Sequence, residues 1–188
     1  MKTHKTCIKD ALLFEVERYN DERGYFMETW NHQEFGLPNF VQDNQSRSKK
    51  GVLRGLHYQN EFKPQGKLIR CTHGAVYDVI VDLREHSDTF GRWFGVDLNR
   101  PELMLWAPPG MAHGFYTYTD NAEFQYKVTN YYDSFSERTL LWNDEKLGIT
   151  WPCEDEPILS EKDWSKAETF ENCEKFVGGV FKNEIKTK

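Results

Sequence analysis

From residue 74 to residue 83 the chain alternates. Ala75, Tyr77, Val79, Val81 and Leu83 form one apolar row while Asp78 and Asp82 fall on the other face, which is the two-residue period of a β-strand. Residues 123–128 repeat the pattern, with Phe124, Tyr126 and Val128 opposite Glu123, Gln125 and Lys127. Tyr126 is therefore expected to point inward among apolar neighbours, where its hydroxyl needs a partner. Further strands are predicted over 25–30, 40–48, 52–58, 67–71, 92–98, 104–108 and 114–119, set off by turn residues at fairly regular spacing. Helix-period segments are scarce: one short turn is expected over 31–35, before Gly36-Leu37-Pro38, and one or two helices after about Glu161. This many short strands implies an all-β, double-sheet roll.

Composition sharpens that picture. The 188 residues, 38% hydrophobic and 15% aromatic, suffice to bury one core, so a single domain over 1–188 is expected, with a tail past Val177 that is charged and expected to fray. A net charge of −6 with interleaved signs leaves no basic stripe for nucleic acid. Cys7, Cys71, Cys153 and Cys173 form no CxxC pair and read as free thiols. No uncharged stretch reaches membrane-spanning length and the N-terminus carries no leader-like apolar run, so a soluble cytoplasmic protein is expected.

Polar residues interrupt the strands in two places. In Gly51-Val52-Leu53-Arg54-Gly55-Leu56-His57-Tyr58-Gln59, strict alternation puts Arg54 and His57 on opposite faces; a shared site requires a bulge, for which Gly55 is the natural place. In Pro108-Pro109-Gly110-Met111-Ala112-His113-Gly114-Phe115, a tight turn delivers His113 to a strand. The two histidines suggest a metal pair, but His57-Tyr58-Gln59 lacks the second histidine of a His-x-His motif, so no metal is assigned. Lys67 opens an apolar strand and becomes a fixed cation for an oxyanion if it faces the same cavity as His57. No nucleophile elbow, Walker loop or dinucleotide fingerprint occurs. Acid–base chemistry by His, Tyr and Lys remains.

Taken together and in order, the motifs resemble those of the dTDP-4-dehydrorhamnose 3,5-epimerases over about residues 12–165. They are Asp21-Glu22-Arg23-Gly24-Tyr25-Phe26-Met27-Glu28, Phe40-Val41-Gln42-Asp43-Asn44, Leu53-Arg54-Gly55-Leu56-His57, Gln65-Gly66-Lys67-Leu68, Phe90-Gly91-Arg92-Trp93, Ala112-His113-Gly114-Phe115, Ala122-Glu123-Phe124-Gln125-Tyr126-Lys127, Asn130-Tyr131-Tyr132, Trp142-Asn143-Asp144, Gly148-Ile149-Thr150-Trp151-Pro152 and Leu159-Ser160-Glu161-Lys162-Asp163. The resemblance implies a cupin-type jelly roll acting without metal or other cofactor on dTDP-4-dehydro-6-deoxy-D-glucose, a dTDP-4-keto-6-deoxy sugar. His57 would be the base, Asp163 its orienting carboxylate, Lys67 the enolate stabiliser and Tyr126 the proton donor on the opposite face. Arg23, Arg54 and His113 would surround the diphosphate and sugar. Glu28, Gln42, Asp43, Asn44, Glu137 and Lys162 would make further contacts, and Tyr132, helped by Phe26, would hold the thymine. It further implies a homodimer with shared active sites, the strand from Arg23 to Glu28 reaching the partner's nucleotide.

Gln45 stands where the family often has His, and residues 99–106 differ from the usual loop. A 3-epimerase acting on one centre, a non-catalytic nucleotide-sugar-binding cupin, a 3,4-ketoisomerase and a metal-dependent cupin oxygenase are the competing readings.

Overall fold

In a computed structural model, which describes residues 1–178, thirteen strands and two short helices follow in order. The strands are β1 (Lys2–Lys5), β2 (Leu12–Glu15), β3 (Tyr19–Asp21), β4 (Gly24–Phe26), β5 (Gln42–Ser48), β6 (Leu53–Gln59), β7 (Lys67–His73), β8 (Val76–Asp82), β9 (Trp93–Leu98), β10 (Leu103–Ala107), β11 (Met111–Thr117), β12 (Ala122–Val128) and β13 (Glu137–Thr139). The helices are α1 (His32–Phe35) and α2 (Glu161–Ser165). The expected fraying past Val177 falls mainly on residues outside the described range.

Two antiparallel sheets make a jelly roll of the cupin type: a six-stranded sheet in the order β1-β2-β10-β7-β12-β5, and a five-stranded sheet in the order β13-β6-β11-β8-β9. β3 and β4 form a separate hairpin. Between the sheets lies an apolar layer that includes Ile69, Cys71 and Phe124 from one and Val76, Ile80 and Phe115 from the other. Both outer faces are also covered. Val79 and Val81 of β8, and Leu83 just after it, pack with Leu147, Phe170, Cys173 and Phe176 of the C-terminal segment. Leu68, Met104 and Trp106 pack with Phe35 and Leu37 around α1.

That double covering corrects the alternation reading of β8. Its apolar row faces the C-terminal segment, and Asp78 and Asp82, expected on a polar face, are fully buried. Asp82 accepts from Arg84, Ser87 and Thr89, so its burial is compensated. The strand expected over 25–30 is only the three paired residues of β4. The turn expected over 31–35 is α1: Asn31 caps it by accepting from the Gln33 amide, and Gly36 ends it at φ 62°, the left-handed C-cap that glycine tolerates.

Candidate active site

A cleft of about 520 Å³ is lined from β5, β6, β7, β11, β12 and β13 and from the segment entering α2. Its geometry begins at Gly55. On β6, Arg54 pairs with Phe115 and His57 with His113, so three steps on one strand oppose two on the other. The extra residue is the bulge required for Arg54 and His57 to share a wall, and both line the cleft. Gly55 has φ 126°, and a Cβ there would lie 2.5 Å from Gly114 Cα and 2.8 Å from the His113 carbonyl oxygen. Only glycine lets the two strands approach this closely.

His57 Nε2 lies 2.5 Å from Asp163 Oδ1. Asp163 is the third residue of α2, whose first turn is capped by Ser160; the Ser160 hydroxyl donates to Asp163 Oδ2 at 2.8 Å. Burial alone would push the Asp163 carboxyl up, but the contacts with His57, Ser160 and Lys162 outweigh it and hold the group below the ordinary value. The carboxylate is thus fixed, ionised, against the imidazole.

Lys67 is buried, and its Nζ donates to the His57 carbonyl oxygen at 3.0 Å. Burial lowers the ammonium to about 8, with Asp78 and Glu137 opposing the fall and Lys162 adding to it. Tyr126 faces the same cleft from β12. Contrary to the expectation of a partner, its hydroxyl makes no hydrogen bond among the described residues. Burial, reinforced by Glu137 and opposed by Arg54, raises the phenol above its ordinary value, so it is protonated at neutral pH.

A second carboxylate–imidazole pair lies deeper. Asp78 Oδ2 is 2.9 Å from His113 Nε2, while Asp78 Oδ1 has no partner. Burial pushes the carboxyl up and the imidazole down, against their mutual attraction, which keeps the net charge of the pair low. Asp78 was not among the residues assigned from sequence; an acid in the middle of an apolar strand was the visible signal.

At the mouth, the Tyr132 hydroxyl donates to Glu137 Oε2 at 3.2 Å and Lys162 Nζ meets Glu137 Oε1 at 2.5 Å. The structure therefore brings together His57, Lys67, Tyr126, Asp163, Arg54, His113, Tyr132, Glu137 and Lys162. Gln42 stands just behind them and accepts from the Tyr132 amide, while its own amide donates to Asn44. Asp43 is on the other face of its strand, bound to Lys127. Arg23, Phe26 and Glu28 do not line the cleft of their own chain: Arg23 binds Asp21, Glu28 binds Asn31, and Phe26 is exposed.

The cleft thus offers an imidazole held by a carboxylate, a phenol with an uncommitted hydroxyl, and a buried ammonium. The first two are proton-transfer groups, and the third is a fixed charge where an oxyanion can form. Among the described residues, no three His, Cys, Asp or Glu side chains are grouped to hold a metal ion, and no helix is long and apolar enough to cross a membrane.

The profile of the dTDP-4-dehydrorhamnose 3,5-epimerase family matches residues 5–172. The dTDP-4-dehydrorhamnose 3,5-epimerase of Salmonella typhimurium is 52% identical over 165 residues, covering 85% of this chain and 90% of that one. Among solved structures, the dTDP-6-deoxy-D-glucose-3,5-epimerase of Legionella pneumophila in complex with dTDP-4-keto-L-rhamnose superposes with a TM-score of 0.87 at 42% identity, covering 91% of this chain and 93% of that one. A 3'-monoepimerase from Streptomyces bikiniensis in complex with dTDP-quinovose superposes with a TM-score of 0.82 at 33% identity, covering 89% and 87%.

Proposed function

The chain belongs to the dTDP-4-dehydrorhamnose 3,5-epimerase family, and on that premise we propose that it inverts C3 and C5 of dTDP-4-dehydro-6-deoxy-D-glucose to give dTDP-4-dehydro-L-rhamnose. The convergence of His57, Lys67 and Tyr126 in one cleft carries this reading. A C–H bond beside the C4 ketone is weakly acidic, so its removal needs a base and a stabilised enolate. His57, oriented by Asp163, takes the proton. The electron pair moves onto the ketone oxygen, where the Lys67 ammonium balances the charge. Tyr126, protonated and uncommitted, returns a proton to the opposite face of the carbon; His57 then loses its proton and the phenolate regains one from solvent. No redox partner enters the balance.

Arg54 and His113 supply a cation and a donor for the diphosphate and sugar, Glu137 and Lys162 line the sugar end, and Tyr132 offers its ring to the thymine. Gln42, Asn44 and Asp43 support this region from the edge strand. Arg23, Phe26 and Glu28 act in the cleft of a second copy. Their hairpin is exposed on both strands, with Tyr25 52% and Phe26 69% exposed, which suits a two-fold dimer. Light scattering of dilute protein is expected to give the dimer mass; a fully active monomer would contradict this.

The purified protein, incubated with the substrate with and without excess chelator, is expected to yield a product whose vicinal proton couplings show both centres inverted. A second outcome, inversion at one centre, has a specific precedent in the likeness to the Streptomyces monoepimerase.

A further inference from the structure

Gln59 lies two residues beyond His57 at the end of β6 and is 4% exposed. Its amide spans two loops. Nε2 donates to the Lys63 carbonyl at 2.7 Å and to the Tyr131 carbonyl at 3.3 Å, and Oε1 accepts from the Asp133 amide at 2.8 Å. Both donors of the carboxamide are used, and only acceptor capacity remains. Between Tyr131 and Asp133, the Tyr132 amide donates to Gln42 Oε1 at 3.1 Å. Three successive groups of one loop, a carbonyl and two amides, are therefore held by glutamine side chains, and none of the three has a main-chain partner among the described residues.

On either side the chain is held at Asn130, by Gln65 and the Pro64 carbonyl, and from Asp133 to Ser136 by the Asp133 cap and the Asn60 amide, so the glutamine contacts are what fix the stretch between, which carries Tyr132. Tyr131 is 65% exposed, Tyr132 56% and Phe135 90%, so apolar burial contributes little to its order. An exposed ring that is already fixed in place binds a flat ligand without the cost of ordering the loop at that moment. The Tyr132 ring is fixed at its hydroxyl by Glu137 and through its backbone by the two glutamines.

We propose that Gln59 is a positioning residue for nucleotide recognition: it acts through Tyr132, setting affinity for the thymidine diphosphate portion of the substrate without taking part in proton transfer. This rests on the reading of Tyr132 as the base-stacking side chain.

The test is a double-mutant cycle read by calorimetric binding of dTDP, with steady-state kinetics alongside. Gln59→Leu is expected to weaken dTDP binding about tenfold and raise KM in step, with kcat changed less than about threefold, the size of effect expected for losing buried hydrogen bonds that preorganise a site. In a Tyr132→Ala background the same substitution is expected to change dTDP affinity less than about twofold, because the residue it positions is gone. Equal weakening in both backgrounds would overturn the proposal, as would a fall in kcat at unchanged KM. If Tyr132→Ala alone leaves dTDP affinity intact, the stacking reading itself fails and takes this inference with it. Should Gln59→Leu not fold, Gln59→Asn, whose carboxamide is one methylene too short to reach the Lys63, Tyr131 and Asp133 backbone together, carries the same binding cycle with the same expected non-additivity.

Discussion

The Lys67 ammonium donates to the backbone carbonyl of His57, so the cation proposed to hold the enolate is tied to the residue proposed to create it. The two side chains come from neighbouring walls of the cleft, β7 and β6, of different sheets. Their spacing is therefore set by the packing of the roll and not by the sequence interval between them.

Burial of that ammonium has two opposed consequences. Its value of about 8 in the folded chain, against an ordinary 10.5, means that kcat should fall as pH rises through about 8 and the charge is lost. Stability should move the other way. Between about 8 and 10.5 the unfolded chain binds more protons than the folded one, so this group's contribution to stability rises with pH across that window. Lys67→Met should therefore lower kcat at least about a hundredfold while stabilising the fold at pH 7 by about 1–2 kcal/mol, the desolvation cost less the lost bond to His57. The gain should shrink by pH 10. Denaturant melts at the two pH values check this, and a destabilised variant at pH 7 would contradict it.

Asp163 should be as sensitive as His57, the base it is proposed to orient. Asp163→Asn keeps the shape of the side chain and the Ser160 cap but removes the charge that favours the imidazolium formed on proton abstraction. A loss of about 10²–10⁴ in kcat is expected, with dTDP affinity unchanged by calorimetry. A loss confined to KM would place Asp163 in binding and not in chemistry.

Tyr126→Phe removes the only uncommitted hydroxyl assigned to the opposite face. Inverted product should fall by about a hundredfold or more, while solvent deuterium still exchanges into the substrate with retained configuration, because His57 can take and return a proton on its own face. Loss of exchange together with inversion would show that Tyr126 acts before or during abstraction.

Gly55→Ala places a methyl group against the Gly114 and His113 backbone. With the left-handed strain added, a loss of about 2–4 kcal/mol is expected, measured by urea melts, and the surviving folded protein should lose activity because the bulge that seats Arg54 and His57 is displaced.

Much of this site was legible before any coordinates. The inward row of Phe124, Tyr126 and Val128 and the helical turn over 31–35 follow from local period and turn chemistry, and the structure bears both out; alternation alone put Arg54 and His57 on opposite faces, and the bulge at Gly55, a place the sequence offered without requiring it, is what brings them together. Short strands with little apolar content were not legible. β1 is exposed throughout and β13 is Glu-Arg-Thr; each exists because it pairs with a neighbour, not because its own sequence alternates. Asp78 was misplaced for a different reason: alternation separates two faces but does not say which of them a C-terminal segment will cover. Gln59 escaped because its partners are backbone atoms of two loops, and sequence carries no record of those contacts.

The central claim, proton transfer at carbons flanking a ketone with His57 as base, is tested most directly by proton NMR of the purified protein with dTDP-4-dehydro-6-deoxy-D-glucose in deuterium oxide, beside His57→Ala under the same conditions. Deuterium should enter both C3 and C5 with the wild-type chain and neither with the variant. Label entering at the same rate with His57→Ala, or no label with the wild-type chain, would contradict it.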